Sequence, residues 1–407
     1  MSDTHHQTFR MSFGREQSLD LTVRSDRVLW QHYPPAAVDD LPIAIQNALA
    51  APIDFPALSQ AVIADDVVVI AAETSTPGLA AVIVGIWNVL SERGVVPENL
   101  TILQAEGGTD PRAGLDDSIR ERVKWQLHDP EDKNELAYLA STTSGERIHL
   151  ARPLTDADVV LSVGRIGFDP VLGFSGTNSA FYPQLSDADA IVKARGQGHF
   201  ELEPEDSRPL RQAVEEVGWL LGSQFTVQTI PGAGGVAAVL AGAFEPVFRR
   251  GREFITRELL VTPDARPDIV VVSVSADASG HGWVQIGSAI AAARRLVARD
   301  GKIVVLSQLA EEPGPGLQMV QQVESAADAI KPLRLETPID LIPATQLSSA
   351  VQWADVYLLS QLDEHTVEEL FMIALGGPDE VVRLIESTDG SVVLMEDAHN
   401  VHARIAE

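Results

Sequence analysis

Short runs of aliphatic and β-branched residues alternate along this chain with stretches whose apolar positions recur at helical spacing. Brief apolar runs bounded by turn formers read as buried strands, and apolar positions three and four apart read as helices packed on one face. In the first half the pattern predicts strands over 67–72, 101–104 and 158–163, and helices over 79–93 and 115–127. In the second half it predicts strands over 268–275, 302–306, 356–360 and 391–395, with helices over 284–298, 317–329, 367–374 and 378–385. Strands and helices alternating in this way build parallel sheets covered by helices, so the expected fold class is α/β. The expected architecture is two Rossmann-like doubly wound domains with a cleft between them. The polar, proline-rich link from Val261 to Pro267 marks the boundary, giving an N-terminal domain over 1–263 and a C-terminal α/β domain over 268–407.

Composition then narrows the function. The chain has 407 residues, 45% of them hydrophobic, which suffices for a large core. Its net charge of −28 opposes binding to nucleic acid, whose phosphates such a surface repels. The dense basic stretch Arg249-Arg250-Gly251-Arg252 reads as a solvated helix face beside Glu245 and Glu253. There is no cysteine, so disulfides, thiolate zinc and thiol catalysis are excluded. Residues 1–17 are polar and lack the apolar core of a signal peptide, and no stretch approaches the roughly 20 apolar residues of a membrane span. The expectation is a cytoplasmic protein that binds a small molecule, not nucleic acid or membrane.

Three polar, glycine-containing loops fall at the C-terminal ends of predicted strands, where open α/β sheets bind ligands. The first, residues 72–78, contains Glu73, Ser75 and Thr76, with Thr76 as a helix N-cap and Pro77 at the first helical position. Free amides and hydroxyls there suit an anion or phosphate, and capping alone explains the same residues. The second, residues 105–111, contains Gly107, Gly108, Thr109 and Asp110. The third runs over 164–183 and carries the turn Gly173-Phe174-Ser175-Gly176, which lets backbone amides approach a ligand. A fourth glycine-rich run, 232–237, could pass for a dinucleotide fingerprint, but it lacks the acidic residue about 20 positions on and reads as a hairpin turn.

The order of motifs resembles the lactate racemase family, enzymes that use a nickel-pincer nucleotide. The resemblance runs from Phe13-Gly14-Arg15 and Leu19-Asp20-Leu21 through Thr142-Thr143-Ser144-Gly145, Ala157-Asp158-Val159 and Gly173-Phe174-Ser175-Gly176 to Val284-Gln285 and Gly301-Lys302-Ile303. It implies that the lysine anchoring the cofactor stands at Ser179, and the nickel-ligating histidine at Arg195. A hydroxyl cannot replace that amine, and a guanidinium has no lone pair for a metal. His199, four residues beyond Arg195, substitutes only if the loop shifts. The family's two alternating bases fall on Thr109 and Asp169, its first-loop acid and arginine on Glu73 and Thr76, and its helical tyrosine, glutamine and lysine on Val284, Gln285 and Ser288. Scaffold positions are kept while charged and coordinating ones change.

The resemblance therefore implies a lactate-racemase-like protein that has lost the nickel-pincer chemistry and needs neither that cofactor nor a metal. It would bind a small organic acid or a nucleotide-like ligand in the interdomain cleft, through Glu73, Ser75, Thr76, Gly107, Gly108, Phe174, Ser175, Gly176, Ser179 and Gln285, with a homologous chain as a possible partner subunit. The alternative is a racemase or epimerase of a 2-hydroxy acid that keeps the nickel-pincer nucleotide, with Asp169, Thr109 and Asp110 as catalytic candidates aided by Glu73, His199 or His281. A hydrolase or transferase with Ser175 or Ser179 as nucleophile is a further option, which needs a base within reach. His399 and His402 read as solvated tail residues, and His128 as a helix end.

Overall fold

The computed structural model describes residues 5–198, 202–278 and 280–406. The chain forms two compact units, one continuous over Pro35–Arg257 and one assembled from the residues up to Pro34 together with those from Glu258 onward.

In the continuous unit six strands form one sheet, in the order Gly235–Gly242, Phe225–Gly232, Val159–Arg165, Val68–Ala72, Leu100–Gln104, Lys124–Leu127. All neighbours pair in parallel except the outermost, which is the antiparallel return of a hairpin. That hairpin is what residues 232–237 make, with Gly234 at φ +66° in the turn. Every residue of Val68–Ala72 is buried, as expected of a central parallel strand, which is why it reads as an unbroken apolar run. Helix Leu79–Glu92 covers it with Val82, Ile83, Ile86 and Leu90. Gly94 at φ +87° follows that helix, the position where a left-handed residue ends a helix cheaply.

Two expectations change here. The predicted 115–127 helix is a single turn, Asp117–Arg120, followed by the strand Lys124–Leu127. Arg112 draws the carbonyls of Arg120 and Val123 out of helical use, and Trp125 Nε1 donates to Gln104 Oε1 across the sheet. Thr76 is not the N-cap. The helix starts at Leu79 after Gly78 at φ +68°, where a Cβ would stand 2.7 Å from Leu41 Cδ2.

The other unit has a six-stranded, wholly parallel sheet in the order Ile373–Leu375, Asp355–Leu359, Lys302–Leu306, Ile269–Ser273, Val392–Met395, Val28–His32. Alternate residues of the central strand face two different cores. Val270 and Val272 pack with the helices Trp283–Leu296 and Leu341–Val351. Ile269 and Val271 pack with helix Pro378–Ser387 and the hairpin His6–Phe13/Gln17–Arg24.

The division of the chain therefore differs from the expected 1–263 and 268–407. The break falls between Arg257 and Glu258, Val261 belongs to the strand Leu260–Val261, and the first 34 residues join the C-terminal part. Two long-range pairings cause this: Val28–His32 with Val392–Met395, and Leu260–Val261 with His402–Ala403. The predicted 317–329 helix is two helices, Pro315–Gln321 and Ala326–Glu336, the second capped by Ser325. The predicted 367–374 helix is the shorter Glu364–Glu369 followed by a strand. Among the described residues no helix is long and apolar enough to cross a membrane.

Candidate functional site

The strongest concentration of unusual polar groups in the continuous unit lies where Val68–Ala72, Val159–Arg165 and Phe225–Gly232 end. Glu73 directly follows the first of these strands. Its amide donates to Val163 O at 2.8 Å and its Oε2 accepts from the Arg165 amide at 2.9 Å, so backbone and side chain both fasten it to the neighbouring strand. Burial raises the Glu73 carboxyl above its ordinary range; the Arg165 amide and charge oppose this, and the nearby Asp169 charge adds to it. Gly164 makes the approach possible, since a Cβ there would stand 2.8 Å from Glu73 Oε2 and 3.2 Å from Gln228 Oε1. Gln228 is fully buried and donates from Nε2 to Thr226 Oγ1 at 2.7 Å, while its Oε1 has no hydrogen-bond partner. Two carbonyl-type oxygens thus converge on a glycine.

The third loop closes over this point. Gly167–Asp169 pairs antiparallel with Gly173–Ser175, and Asp169 Oδ1 accepts from the amides of Val171 and Leu172 at 2.8 and 2.6 Å, fixing the turn between them. Gly176 sits at φ +114°, a region that excludes side chains, and its amide donates to Ser179 Oγ at 2.8 Å. Arg211 braces the turn from behind. It donates to the carbonyls of Phe174 and Gly176 at 3.1 and 3.3 Å and is paired with Glu215. Burial lowers the Arg211 guanidinium from its usual range, and the Glu215 charge partly restores it. Arg252 lies over the Phe174 ring at 4.4 Å.

The predicted residues divide accordingly. Glu73, Asp169, Phe174, Ser175, Gly176 and Ser179 gather around residues 164–180, and Thr76 is tied to them by donating to Glu73 O at 2.6 Å, with Ser75 half-buried beside it. Ser175 Oγ makes long bonds to the carbonyls of Arg165 and Gly167, an arrangement of a turn residue rather than an activated nucleophile. The second loop is held elsewhere. Thr109 and Gly107 are exposed, Gly108 packs on Gln104, and Asp110 is committed to Arg112 at 2.9 Å, whose hydrogen bond holds its carboxyl below the usual range. Gln285 belongs to the other unit, where its Oε1 accepts from the Gly282 amide and caps helix Trp283–Leu296.

Two histidines differ from their sequence reading, and a third is already engaged. His399 is buried with Nε2 3.1 Å from Asp277 Oδ2, not a solvated tail residue. His128 ends a strand, not a helix, and its Nε2 lies 2.7 Å from Ser186 O. His281 Nε2 accepts from the Gln308 amide at 2.8 Å, and burial lowers its basicity. His199 lies outside the described residues. Arg211, Gln228 and the inward turn of Arg252 were not foreseen. An i, i+4 pairing of Arg211 with Glu215 was the available signal for the first; nothing local marks the others.

A chain with two α/β units, each built on a largely parallel sheet, and a glycine-framed cluster at the strand ends of one belongs to the class of two-unit α/β folds. Comparison with known proteins makes this specific. Residues 14–201 match the family described as the lactate racemase N-terminal domain. The lactate racemase apoprotein from Thermoanaerobacterium thermosaccharolyticum has the same fold, with a TM-score of 0.81 at 17% identity, over 98% of this chain and 100% of that one. A structural-genomics target from Thermotoga maritima is similar at a TM-score of 0.70 and 14% identity, over 90% of this chain and 98% of that one. No curated protein matches the sequence. The family match covers a little under half of this chain, and the likeness to the two solved structures is one of fold.

The residues present do not fit a tethered nickel-pincer group. Ser179 offers a hydroxyl already used by the turn, and Arg195, ending helix Ala188–Arg195, offers no lone pair. Among the described residues no group of three or more His, Cys, Asp or Glu is arranged to hold a metal ion.

Proposed function

We propose that this chain is a lactate-racemase-like protein that has lost nickel-pincer racemase chemistry and binds a small organic acid or a nucleotide-like ligand at the strand ends of its continuous unit. One observation carries the reading: Ser179, where the family resemblance puts the anchoring lysine, spends its hydroxyl on the Gly176 amide. The supporting cast agrees. Thr109 is exposed and cannot serve as a base near neutral pH, and Asp169 Oδ1 is engaged by two amides, so a matched pair of bases for either enantiomer is missing. What persists is a frame that brings backbone close to a ligand, built on Gly164 and Gly176. Intact-mass spectrometry and nickel quantification, on protein made together with the pincer biosynthetic machinery, test the proposal. The expected result is the unmodified polypeptide mass without stoichiometric nickel; a covalent thiolated pyridinium adduct overturns it.

One observation favours the second reading, an isomerase of 2-hydroxy acids working through replaced residues. Burial raises the Glu73 carboxyl above its ordinary range and the nearby Asp169 charge adds to that, and two carboxyl groups placed together are the pairing that general acid–base chemistry uses. On that reading Asp169→Asn abolishes turnover of a 2-hydroxy acid in a chiral assay, and turnover unaffected by that change rejects those roles.

A further inference from the structure

Helix Phe244–Glu258 carries the arginines of the basic stretch, and they do not behave alike. Arg249 and Arg250 are exposed and paired along the helix, with Glu245 at 2.8 Å and Glu253 at 3.6 Å. Arg252 turns the other way. Its guanidinium is half-buried, 4.4 Å from the centre of the Phe174 ring and 5.6 Å from that of Phe248. Its Nε is buried without a hydrogen-bond partner, and among the described residues it forms no ion pair. Arg211, 3.9 Å from the same Phe248 ring, shows the contrast. Its terminal nitrogens are engaged by Glu215 and by the carbonyls of Phe174 and Gly176. Two guanidinium groups thus share one aromatic ring, and one of them has no ion-pair partner among the described residues.

A shortage of acids cannot explain this, because the chain has 58 acidic side chains against 30 basic ones. Removing a cation from water without a partner is unfavourable, so a half-buried arginine is ordinarily met by a carboxylate or by carbonyls. Here the neighbours are instead two phenyl rings, which hold the guanidinium without accepting its N–H groups in hydrogen bonds. The helix is brought in by Gly251, where a Cβ would overlap Ile166, the residue that leads from strand Val159–Arg165 into the third loop. The site is built on the turn that carries Phe174.

We propose that Arg252 is the anchor for an anionic group of the ligand, a carboxylate or a phosphate, gripped by its two-pronged donor edge beside the Gly173–Ser175 turn. Planar bidentate recognition of such oxyanions is what a fixed guanidinium does best. The inference rests on the reading of these strand ends as a ligand site, and it names the group of the ligand that the site recognises.

The test uses the full chain with inorganic phosphate and acetate as separate probes, followed by calorimetric titration and thermal shift. The expected result is saturable binding of at least one probe, weakened at least tenfold in Arg252→Met, which keeps packing on the rings, and partly recovered in Arg252→Lys. Phosphate alone points to a phosphorylated ligand, and acetate alone to an organic acid. Undiminished binding in Arg252→Met overturns the proposal, as does the absence of saturable binding of either anion to the wild type. Should the variants fail to fold, phenylglyoxal modification of the wild-type chain, read by peptide mass spectrometry, decides the matter: protection of Arg252 by the anion supports it and equal labelling refutes it. A pincer adduct found by mass would overturn the proposed function while leaving these outcomes readable, so the two failures are separable.

Discussion

Acid should loosen the discontinuous unit through His32, well before the carboxylates titrate. His32 ends the edge strand Val28–His32, is 7% exposed, and its Nε2 has no hydrogen-bond partner. Burial lowers its pKa from 6.5 to about 4, with the Glu258 charge opposing only in part. Between those two values the unfolded chain binds a proton that the folded chain refuses, so the stability linked to this group is complete above 6.5 and is lost as pH falls toward 4. The full gap corresponds to about 3 kcal/mol, of which about 1 kcal/mol is lost between pH 7 and 5.5 and about 2 kcal/mol by pH 4.5. Urea unfolding at these three pH values, for the wild type and His32→Gln, measures it. His281 shifts in the same direction, so the variant should lose most but not all of the slope. If wild type and His32→Gln lose stability in parallel over this range, the histidine is not excluded from protonation and the reasoning fails.

Three further outcomes follow from the site. Glu73 has a raised folded-state pKa, so the folded chain binds the proton more tightly, and stability is greatest below the unfolded value near 4.5 and declines as pH rises through the folded one; Glu73→Gln should flatten that decline in pH-dependent unfolding. Gly164→Ala places a methyl 2.8 Å from Glu73 Oε2 and should cost about 1–3 kcal/mol in chemical denaturation, a cost reduced when Glu73 is shortened in the same chain. Ser179→Ala strands the buried Gly176 amide and should cost about 1–3 kcal/mol, whereas Ser179→Thr, keeping the hydroxyl, should cost less.

Much of the fold was legible because buried parallel strands announce themselves. Val68–Ala72 is apolar throughout, and Ile269–Ser273 is apolar up to its last residue, since both of their faces meet a core. What escaped was decided by partners far away in the chain. Val28–His32, with the sequence VLWQH, shows no clear alternation and becomes a sheet strand only against Val392–Met395. Leu115, Ile119 and Val123 keep helical spacing, yet the chain turns to strand at Lys124 because Arg112 and Gln104 take its groups. Helix Leu341–Val351 was missed because Thr345, Gln346 and Ser348 lie buried on it and break the apolar count. At the site, the glycine turn and Glu73 could be picked out from residue type and position. The split between Arg250, which stays in solvent, and Arg252, which faces phenyl rings, depends on where Gly251 lets the helix settle, and no local pattern records it.

The pairing of Val28–His32 with Val392–Met395 also governs how this protein can be made. More than three hundred residues separate the two strands, so during synthesis the amino-terminal segment leaves the ribosome long before its neighbour exists. The Pro35–Arg257 stretch is in effect an insertion within the other unit and can reach its own structure first. The early hairpin must meanwhile wait with Phe9, Met11 and Leu21 uncovered, because the strands that bury them, Ile269–Ser273 and Val392–Met395, have yet to be made.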